Sequence, residues 1–421
     1  MDTIVVRGGR RLKGEVTVEG AKNAALPILL SALLTRERCT FRNLPDVADV
    51  RTTLRLLADL GAVVDVEGGG VVHVRAERLS RLEATYDLVK TMRASFLVLG
   101  PLLARHGRAR VSTPGGCAIG SRPVDLHVDG LQKMGATVRQ VHGYADAEAN
   151  HLCGARICLD FPSVGATEHL MMVACLADGQ TTIEQAAREP EIIDLAHALT
   201  AMGARISGAG EDVITIDGVR DLGGTDFSVI PDRIEAGTYM MAAAITGGDV
   251  FVRGARAEHL HAVILKLREA GVNVGEERDG IRVTGNGRLH SVDIKTMPYP
   301  GFPTDLQAQI MACLALADGR SVISETIFEN RFMHVLELNR MGADVKVEGH
   351  NALVRGVPGL SGAPVMATDL RASVCLVLAG LAAEGVTELS RVYHLDRGYV
   401  RIEQKLSALG ADIQRVKQRR G

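Results

Sequence analysis

Six times along the chain a helical pattern closes on a Leu/Met/Ala-Gly-Ala/Val step and passes into a short strand-like run. The instances are LRLLADLGAVVDV, LQKMGATVRQV, LTAMGARISG, LKLREAGVNVG, LNRMGADVKV and LSALGADIQRV. Their glycines, Gly61, Gly135, Gly203, Gly271, Gly342 and Gly410, stand 68 to 74 residues apart. Self-similarity of this kind marks one structural unit used repeatedly. Glycine suits the closing position because it ends a helix in the left-handed conformation that side chains resist.

Each unit also carries an earlier helix rich in small apolar residues, as in HLMMVACLADG, TYMMAAAITGG, IMACLALADG and LVLAGLAAEG. Apolar nearly all round, these helices are predicted to be buried. Their closing glycines are Gly107, Gly179, Gly248, Gly319 and Gly385, with TRERC in that place in the first unit. Strands alternating with two helices per unit predict an α/β (α+β) architecture. At 421 residues the chain exceeds the length at which a single core usually splits, so six units imply two domains of three. VEGAKN near residue 20 and VIPDRIEAG near residue 230 interrupt the periodicity and are the candidate boundaries.

Polar residues recur at one place in this pattern. Fourteen residues before the closing glycines lie Arg93, Gly165, Asp305 and Arg371, and Lys22 holds the corresponding position in the first unit. Thirteen residues before Gly135 and Gly410 lie Arg122 and Arg397. This predicts charged groups at the first turns of helices, where free N–H groups and the helix dipole favour anions. A cleft fed by several such helix starts would bind a multiply charged anion. Singly, each of these residues reads more readily as a cap or a surface charge, and it is their recurrence at equivalent positions that points to a ligand.

The segment STPGGCAIGSRPVDLH (112–127) concentrates chemistry. Pro114, Gly115, Gly116 and Gly120 make a flexible loop around Cys117, and Arg122 and Pro123 are predicted to open a helix. A loop cysteine near a cation and a helix start is more readily tuned than a buried thiol. Cys39, Cys175, Cys313 and Cys375 lie in apolar stretches and read as small core residues. Asp305 in PGFPTDLQAQ and Asp369 in MATDLRAS each follow Thr at a predicted helix start, where most aspartates are caps. FPSVGATEH (161–169) offers a diphosphate cradle at Ser163, Val164 and Gly165. The chain contains no Walker A sequence, no GxGxxG after a strand and no HExxH.

Composition removes other classes. Net charge is -2, so no global basic field draws nucleic acid or an anionic membrane, and 3% aromatics without Trp gives no stacking platform. No apolar run approaches the roughly 18 residues of a membrane span. The N-terminal MDTIVVRGGRRLKGEV lacks the pattern of a secretory signal. Seven cysteines without CxxC spacing suggest reduced thiols in the cytoplasm and no metal site.

The motifs GAKNAALPIL (20–29), PGGCAIGSRPVDLH (114–127), FPSVGATE (161–168), AAREPEIIDLA (186–196), PDRIEAGT (231–238), FPTDLQAQ (302–309), ENRFMHV (329–335), MATDLRAS (366–373) and YHLDRGY (393–399) occur in this order. The set resembles the UDP-N-acetylglucosamine 1-carboxyvinyltransferase family of the EPSP synthase superfamily, nearly end to end. The resemblance implies an inside-out α/β barrel fold: two domains of three βαβαββ units, with helices inside and sheets outside. One domain would be residues 22–230 and the other 1–21 joined to 231–421, with hinge closure expected from the double crossing.

The activity implied is transfer of the enolpyruvyl group of phosphoenolpyruvate to the 3-hydroxyl of UDP-N-acetylglucosamine, without a cofactor. By resemblance Cys117 protonates C3 and can form a covalent adduct, and Asp305 is the base on the hydroxyl. Lys22, Arg122 and Arg397 match positions that grip phosphoenolpyruvate, with Asn23 and Arg371 beside them and Asp369 lining the site. Asn23, Arg93, the run Arg122, Pro123, Val124, Asp125 and Leu126, the run Phe161, Pro162, Ser163, Val164 and Gly165, and Ile327 match nucleotide-sugar contacts, together with Asp305. Phe161 and Ile327 would otherwise read as core. The implied partners are these small molecules, with neither nucleic acid nor membrane, and the state is a monomer or weak homo-oligomer.

Two rivals share parts of this pattern. The transferase acting on shikimate 3-phosphate has the same fold class, but its pattern lacks a PGGC loop, and its glycine-rich phosphate-site sequence is absent here. A catalytically silent UDP-sugar-binding paralogue would not need Cys117, Asp305, Lys22 and Arg397 together.

Overall fold

The computed structural model of the chain describes residues 2–89, 92–113 and 124–417. Cys117, Arg122 and Pro123 fall outside them. The described residues form two compact units, one running from Gly20 to Ile230 and the other combining the chain up to Glu19 with Pro231 onwards.

Six four-stranded sheets share one topology. In the repeat that begins at Arg156, strand Arg156–Cys158 lies parallel to Gln180–Glu184. That strand pairs antiparallel with Val213–Asp217, which pairs with Arg205–Ser207. Helices Val164–Ala174 and Pro190–Ala201 fill the connections, giving the βαβαββ order. Three sheets are completed from a distance. Strand Asp226–Ser228 returns to lie parallel to Arg38–Arg42 in the first repeat. In the other unit, Asp2–Arg7 and Lys13–Thr17 supply one strand each to two sheets.

In four of the six repeats the first helix is buried on every face. All of Ala166 to Ala174, Ile234 to Ala244, Gln307 to Leu314 and Leu370 to Leu381 is inaccessible to solvent. The sheets lie outside, each turning alternate residues such as Ile183, Ile214 and Ile216 inward. Cys39, Cys175, Cys313 and Cys375 are buried as expected. Burial pushes the thiols of Cys39 and Cys175 up to about 11 and about 12, so both are inert.

The six repeat glycines all have positive φ, from 88° to 106°. The earlier set departs once. Gly248 is not left-handed; Gly247 takes that conformation at φ 59°, and Gly248 instead passes so close to the Leu12 carbonyl that a Cβ would lie 2.3 Å from it. The extra residue lets the chain reverse one position earlier and press against the N-terminal segment.

The flanks of the inserted segment are tied within each unit. In one, the Ala21 N–H donates to the Ile230 carbonyl at 2.7 Å. In the other, Asp232 N–H donates to the Glu19 carbonyl at 2.8 Å. There the Glu19 N–H donates to Glu235 Oε2 at 2.7 Å, and Lys405 Nζ reaches Glu235 Oε1 at 2.9 Å and Glu19 Oε1 at 2.8 Å. Burial pushes the Glu235 carboxyl up to about 7, against the opposing pull of Lys405 and the Glu19 amide.

A carboxyl raised above its ordinary value of 4.5 holds its proton more tightly when folded. Its contribution to stability is therefore complete below about 4.5 and lost as pH rises through about 7. Glu235→Gln removes that titration, so its melting temperature relative to the parent should rise between about pH 5 and about pH 8. A difference that does not change with pH would contradict the raised carboxyl.

Candidate functional site

In the Gly20–Ile230 unit, polar groups gather at the starts of buried helices. Lys22 is the first residue of helix Lys22–Ser31, with Asn23 beside it. Lys22 Nζ lies 3.3 Å from Asp49 Oδ2, and both side chains are largely buried. Asp49 belongs to the first turn of helix Ala48–Asp59, where the dipole favours a carboxylate. Arg93 opens the 3-10 turn Arg93–Val98.

Helix Val164–Ala174 is capped by Ser163, whose Oγ accepts from the Ala166 N–H at 3.4 Å. Gly165 faces His127 closely enough that a Cβ would sit 3.5 Å from its Cε1. His127 lies in helix Asp125–Lys133, three residues beyond Val124, and packs edge-on against Phe96 and beside the buried His169. Burial, reinforced by the charge of Arg93, lowers His127 to about 3, so it is a neutral wall. Phe161 is 57% exposed, so it is not a core residue and is available to a ligand. Pro162, Ser163, Val164 and Gly165 are half-buried beside it.

In the other unit the centre is Asp305, in the 3-10 turn Thr304–Leu306 that leads into helix Gln307–Leu314. Its Oδ1 accepts from Arg331 at 2.7 Å and its Oδ2 from Arg371 at 2.7 Å. Both arginine side chains are only 6% exposed, while that of Asp305 is 24% exposed. The carboxylate therefore keeps one face toward solvent with its position set from behind. Arg371 also donates to the Tyr399 hydroxyl at 3.3 Å, which shares a hydrogen bond of 2.9 Å with Thr238. Burial works against the Arg371 charge, but Asp305, Tyr399 and Asp232 outweigh it and raise its pKa. The Arg233–Ile245 helix packs closely on this turn: a Cβ on Gly237 would lie 2.4 Å from Leu306 Cδ1, so a larger residue would force the buried Leu306 side chain to move.

The two Thr-Asp sequences thus diverge. Asp369 is the N-cap of helix Leu370–Ala382, its Oδ1 accepting from the N–H groups of Arg371 at 2.7 Å and Ala372 at 3.1 Å. Asp305 caps nothing with its side chain and spends it on two guanidinium groups.

Lys22, Arg93, Gly165, Asp305 and Arg371 stand at helix starts as the repeat count predicts. Arg397 does not. It ends the 3-10 turn Val392–Arg397, and the next helix begins only at Ile402, after Arg401 takes a left-handed conformation at φ 43°. The intervening residues carry Tyr399 into the buried network below Arg371, which delays the helix. Arg397 is half-buried and its charge helps depress His394, after burial. The helix expected at Arg122 and Pro123 is described from Asp125, with Val124 before it and Leu126 half-buried. Ile327 is half-buried rather than core, in the loop after strand Arg320–Ser324.

Arg331, Asp49 and Tyr399 are site residues that the repeat count does not reach. Arg331 lies in a loop, outside any periodic segment, and only the motif ENRFMHV contained a signal for it. Tyr399 likewise stands in YHLDRGY. Among the described residues no group of His, Cys, Asp or Glu has the arrangement of a metal site.

Comparison with known proteins bears on what this site does. Residues 6–406 match the sequence model of the family described as EPSP synthase (3-phosphoshikimate 1-carboxyvinyltransferase). Curated relatives named UDP-N-acetylglucosamine 1-carboxyvinyltransferase include one from Geotalea uraniireducens, 59% identical over 99% of this chain and 100% of its own length. Another, from Gluconobacter oxydans, is 58% identical over the same shares. The crystal structure of the enolpyruvyl transferase NikO from Streptomyces tendae superposes with a TM-score of 0.90 at 27% identity, covering 98% of both chains. EPSP synthase from Acinetobacter baumannii, at 18% identity and a TM-score of 0.77 over 99% of this chain and 100% of its own, shares the fold.

The capping role of Asp369 is testable apart from any chemistry. Asp369→Ala should lower unfolding free energy in urea by about 1 kcal/mol, and Asp369→Asn, which still caps, should cost far less. Equal losses would show that the carboxylate acts through its charge.

Proposed function

The chain belongs to the UDP-N-acetylglucosamine 1-carboxyvinyltransferase family, within the EPSP synthase superfamily, and we propose how its own residues carry that family's reaction. The enzyme transfers the 1-carboxyvinyl group of phosphoenolpyruvate to the 3-hydroxyl of UDP-N-acetylglucosamine and releases phosphate, in peptidoglycan synthesis. Addition forms the O–C2 bond while C3 gains a proton. Elimination then breaks the bond from C2 to the phosphate oxygen while C3 loses one.

In our reading Asp305 takes the proton of the attacking hydroxyl. The observation that carries it is the clamp on this carboxylate, held by Arg331 and Arg371 at 2.7 Å each with one face left accessible. A base fixed in this way needs no reorganisation when the hydroxyl arrives. Cys117 supplies the proton to C3, since a thiol's pKa lies nearer neutrality than that of a hydroxyl or an ammonium group. The same thiol can also add to phosphoenolpyruvate as a nucleophile.

Lys22, Arg122 and Arg397 hold the phosphate and carboxylate of phosphoenolpyruvate, with Asn23 and Arg371. Planar guanidinium forks suit both groups bidentately. Arg93, the Arg122–Leu126 run, Phe161 to Gly165 and Ile327 receive the nucleotide sugar. The depressed, neutral His127 supports this reading, because it presents an uncharged surface behind Gly165. We assign the catalytic domains to residues 22–230 and to 1–21 with 231–421, in a cytoplasmic enzyme.

The test is phosphate release from phosphoenolpyruvate with each of two acceptors. Release is expected with UDP-N-acetylglucosamine and not with shikimate 3-phosphate, and the reverse would sink the assignment. Cys117→Asp should retain part of the turnover, because a carboxyl can still donate a proton, but should no longer be alkylated by the epoxide fosfomycin. Mass-spectrometric labelling of that variant would identify a different target and remove Cys117 from its role.

A further inference from the structure

Directly behind the Asp305 clamp lies a fully buried carboxylate that none of the roles above uses. Glu325 follows strand Arg320–Ser324 and is 0% exposed. Its Oε1 accepts from the Ile327 N–H at 2.9 Å, the Phe328 N–H at 3.1 Å and the Thr296 hydroxyl at 2.9 Å. Its Oε2 accepts from the Thr304 hydroxyl at 2.9 Å. A carboxylate has lone pairs enough for this set, and without it the Thr304 hydroxyl and the Ile327 and Phe328 N–H groups would lose their acceptor, while the Thr296 hydroxyl would keep only the Ser324 carbonyl at 3.5 Å.

These contacts point in two directions. Through Oε1, Glu325 fixes the backbone at Ile327, the proposed nucleotide-sugar contact. Through Oε2 it orients Thr304, which stands next to Asp305 and accepts from Arg331 Nη1 at 3.0 Å. Arg331 Nη2 is the group that donates to Asp305. The loop closes on itself, because the Arg331 guanidinium stacks on the Phe328 ring at 5.2 Å and the Arg331 N–H returns to the Phe328 carbonyl at 3.2 Å. One buried side chain therefore holds both the segment that meets the sugar nucleotide and the fork that aims the base.

We propose that Glu325 is a positioning residue that couples the Ile327 segment to the Asp305 base, setting the base at the acceptor hydroxyl through Thr304 and Arg331. The proposal rests on the assignment of Asp305 as base, and deepens it. The two arms of the carboxylate can be separated by chemistry. Glu325→Gln keeps an oxygen for the donors at Ile327, Phe328 and Thr296, but presents an amide N–H to Thr304. The Thr304 hydroxyl already accepts from Arg331, and its own proton loses its acceptor. Thr304→Val breaks the same link from the other side, whereas Thr304→Ser keeps it.

The experiment is steady-state kinetics with UDP-N-acetylglucosamine and phosphoenolpyruvate, alongside calorimetric binding of UDP-N-acetylglucosamine and thermal unfolding of each variant. Glu325→Gln and Thr304→Val should lose about tenfold or more in kcat while KM and Kd for the nucleotide sugar stay within about threefold. Thr304→Ser should recover most of kcat. Glu325→Ala, which removes both arms, should lose affinity as well. Parent-like kcat in both Glu325→Gln and Thr304→Val would overturn the coupling. So would losses in kcat and affinity that scale together with falling melting temperature, the mark of a purely structural group. Failure of the underlying assignment reads differently: Asp305→Ala would then turn over like the parent, whatever Glu325 does.

Discussion

Helices that are apolar on every face leave a protein only one place to put charge along them, and that is their ends. Beyond their first two turns the central helices bury almost only apolar residues, chiefly Ala, Leu, Met and Val, so polar side chains on them are confined to the N-terminal end. Their first turns also carry N–H groups with no intrahelical partner. Lys22, Arg93, Gly165, Asp305 and Arg371 occupy those turns in five of the six repeats. Charged side chains are therefore gathered at helix starts, because packing leaves no room for them farther along the helices. The outer sheets cover the flanks of these helices, with alternate residues turned onto them.

The charges so placed are not isolated. A buried guanidinium is costly unless it is paired and hydrogen-bonded, and removing one partner of such a pair costs more than the pair contributes. Arg331 and Arg371 meet this condition by sharing one carboxylate, and Arg371 adds Tyr399. In the other unit Lys22 meets it with Asp49. The opposite solution appears at Glu168, where burial and the neighbouring Glu191 and Glu189 push the carboxyl well above its ordinary range. Rigidity and function share a cause here: the partners that make burial tolerable also fix the direction of the working groups.

Much of this was legible before any coordinates. Period and closing glycine predict the repeats, and the apolar helices predict their own burial. Counting back from the glycines reaches Arg93, Gly165, Asp305 and Arg371, because a helix of constant length has its start at a constant distance, and Lys22 holds the equivalent helix start in the first repeat, which lacks the glycine. The same count fails at Arg397, where Tyr399 is drawn into the core and the helix starts late. It cannot reach Arg331 or Glu325, which stand in loops whose geometry is set by hydrogen bonds to distant segments. Nor can it separate Asp305 from Asp369. Both follow Thr before a helix, and only the placement of Arg331 and Arg371 turns one into a clamped carboxylate and leaves the other a cap. Local pattern locates the helix ends, while partners from far along the chain decide what each end does.

The ties at the flanks of the inserted segment carry a genetic and topological consequence. Within the Gly20–Ile230 unit the two ends meet, and within the remaining chain Glu19 and Asp232 meet in the same way. Each unit thus has its breakpoints side by side, like the two cut ends of a closed loop. A bridge of a few residues from Glu19 to Asp232 would leave every strand pairing of that unit intact. Joining Ala21 to Ile230 would let the other be reopened at any exposed turn as a circular permutant. The chain thus reads as one three-repeat unit set inside another, each with its own flanks tied by a hydrogen bond of its own.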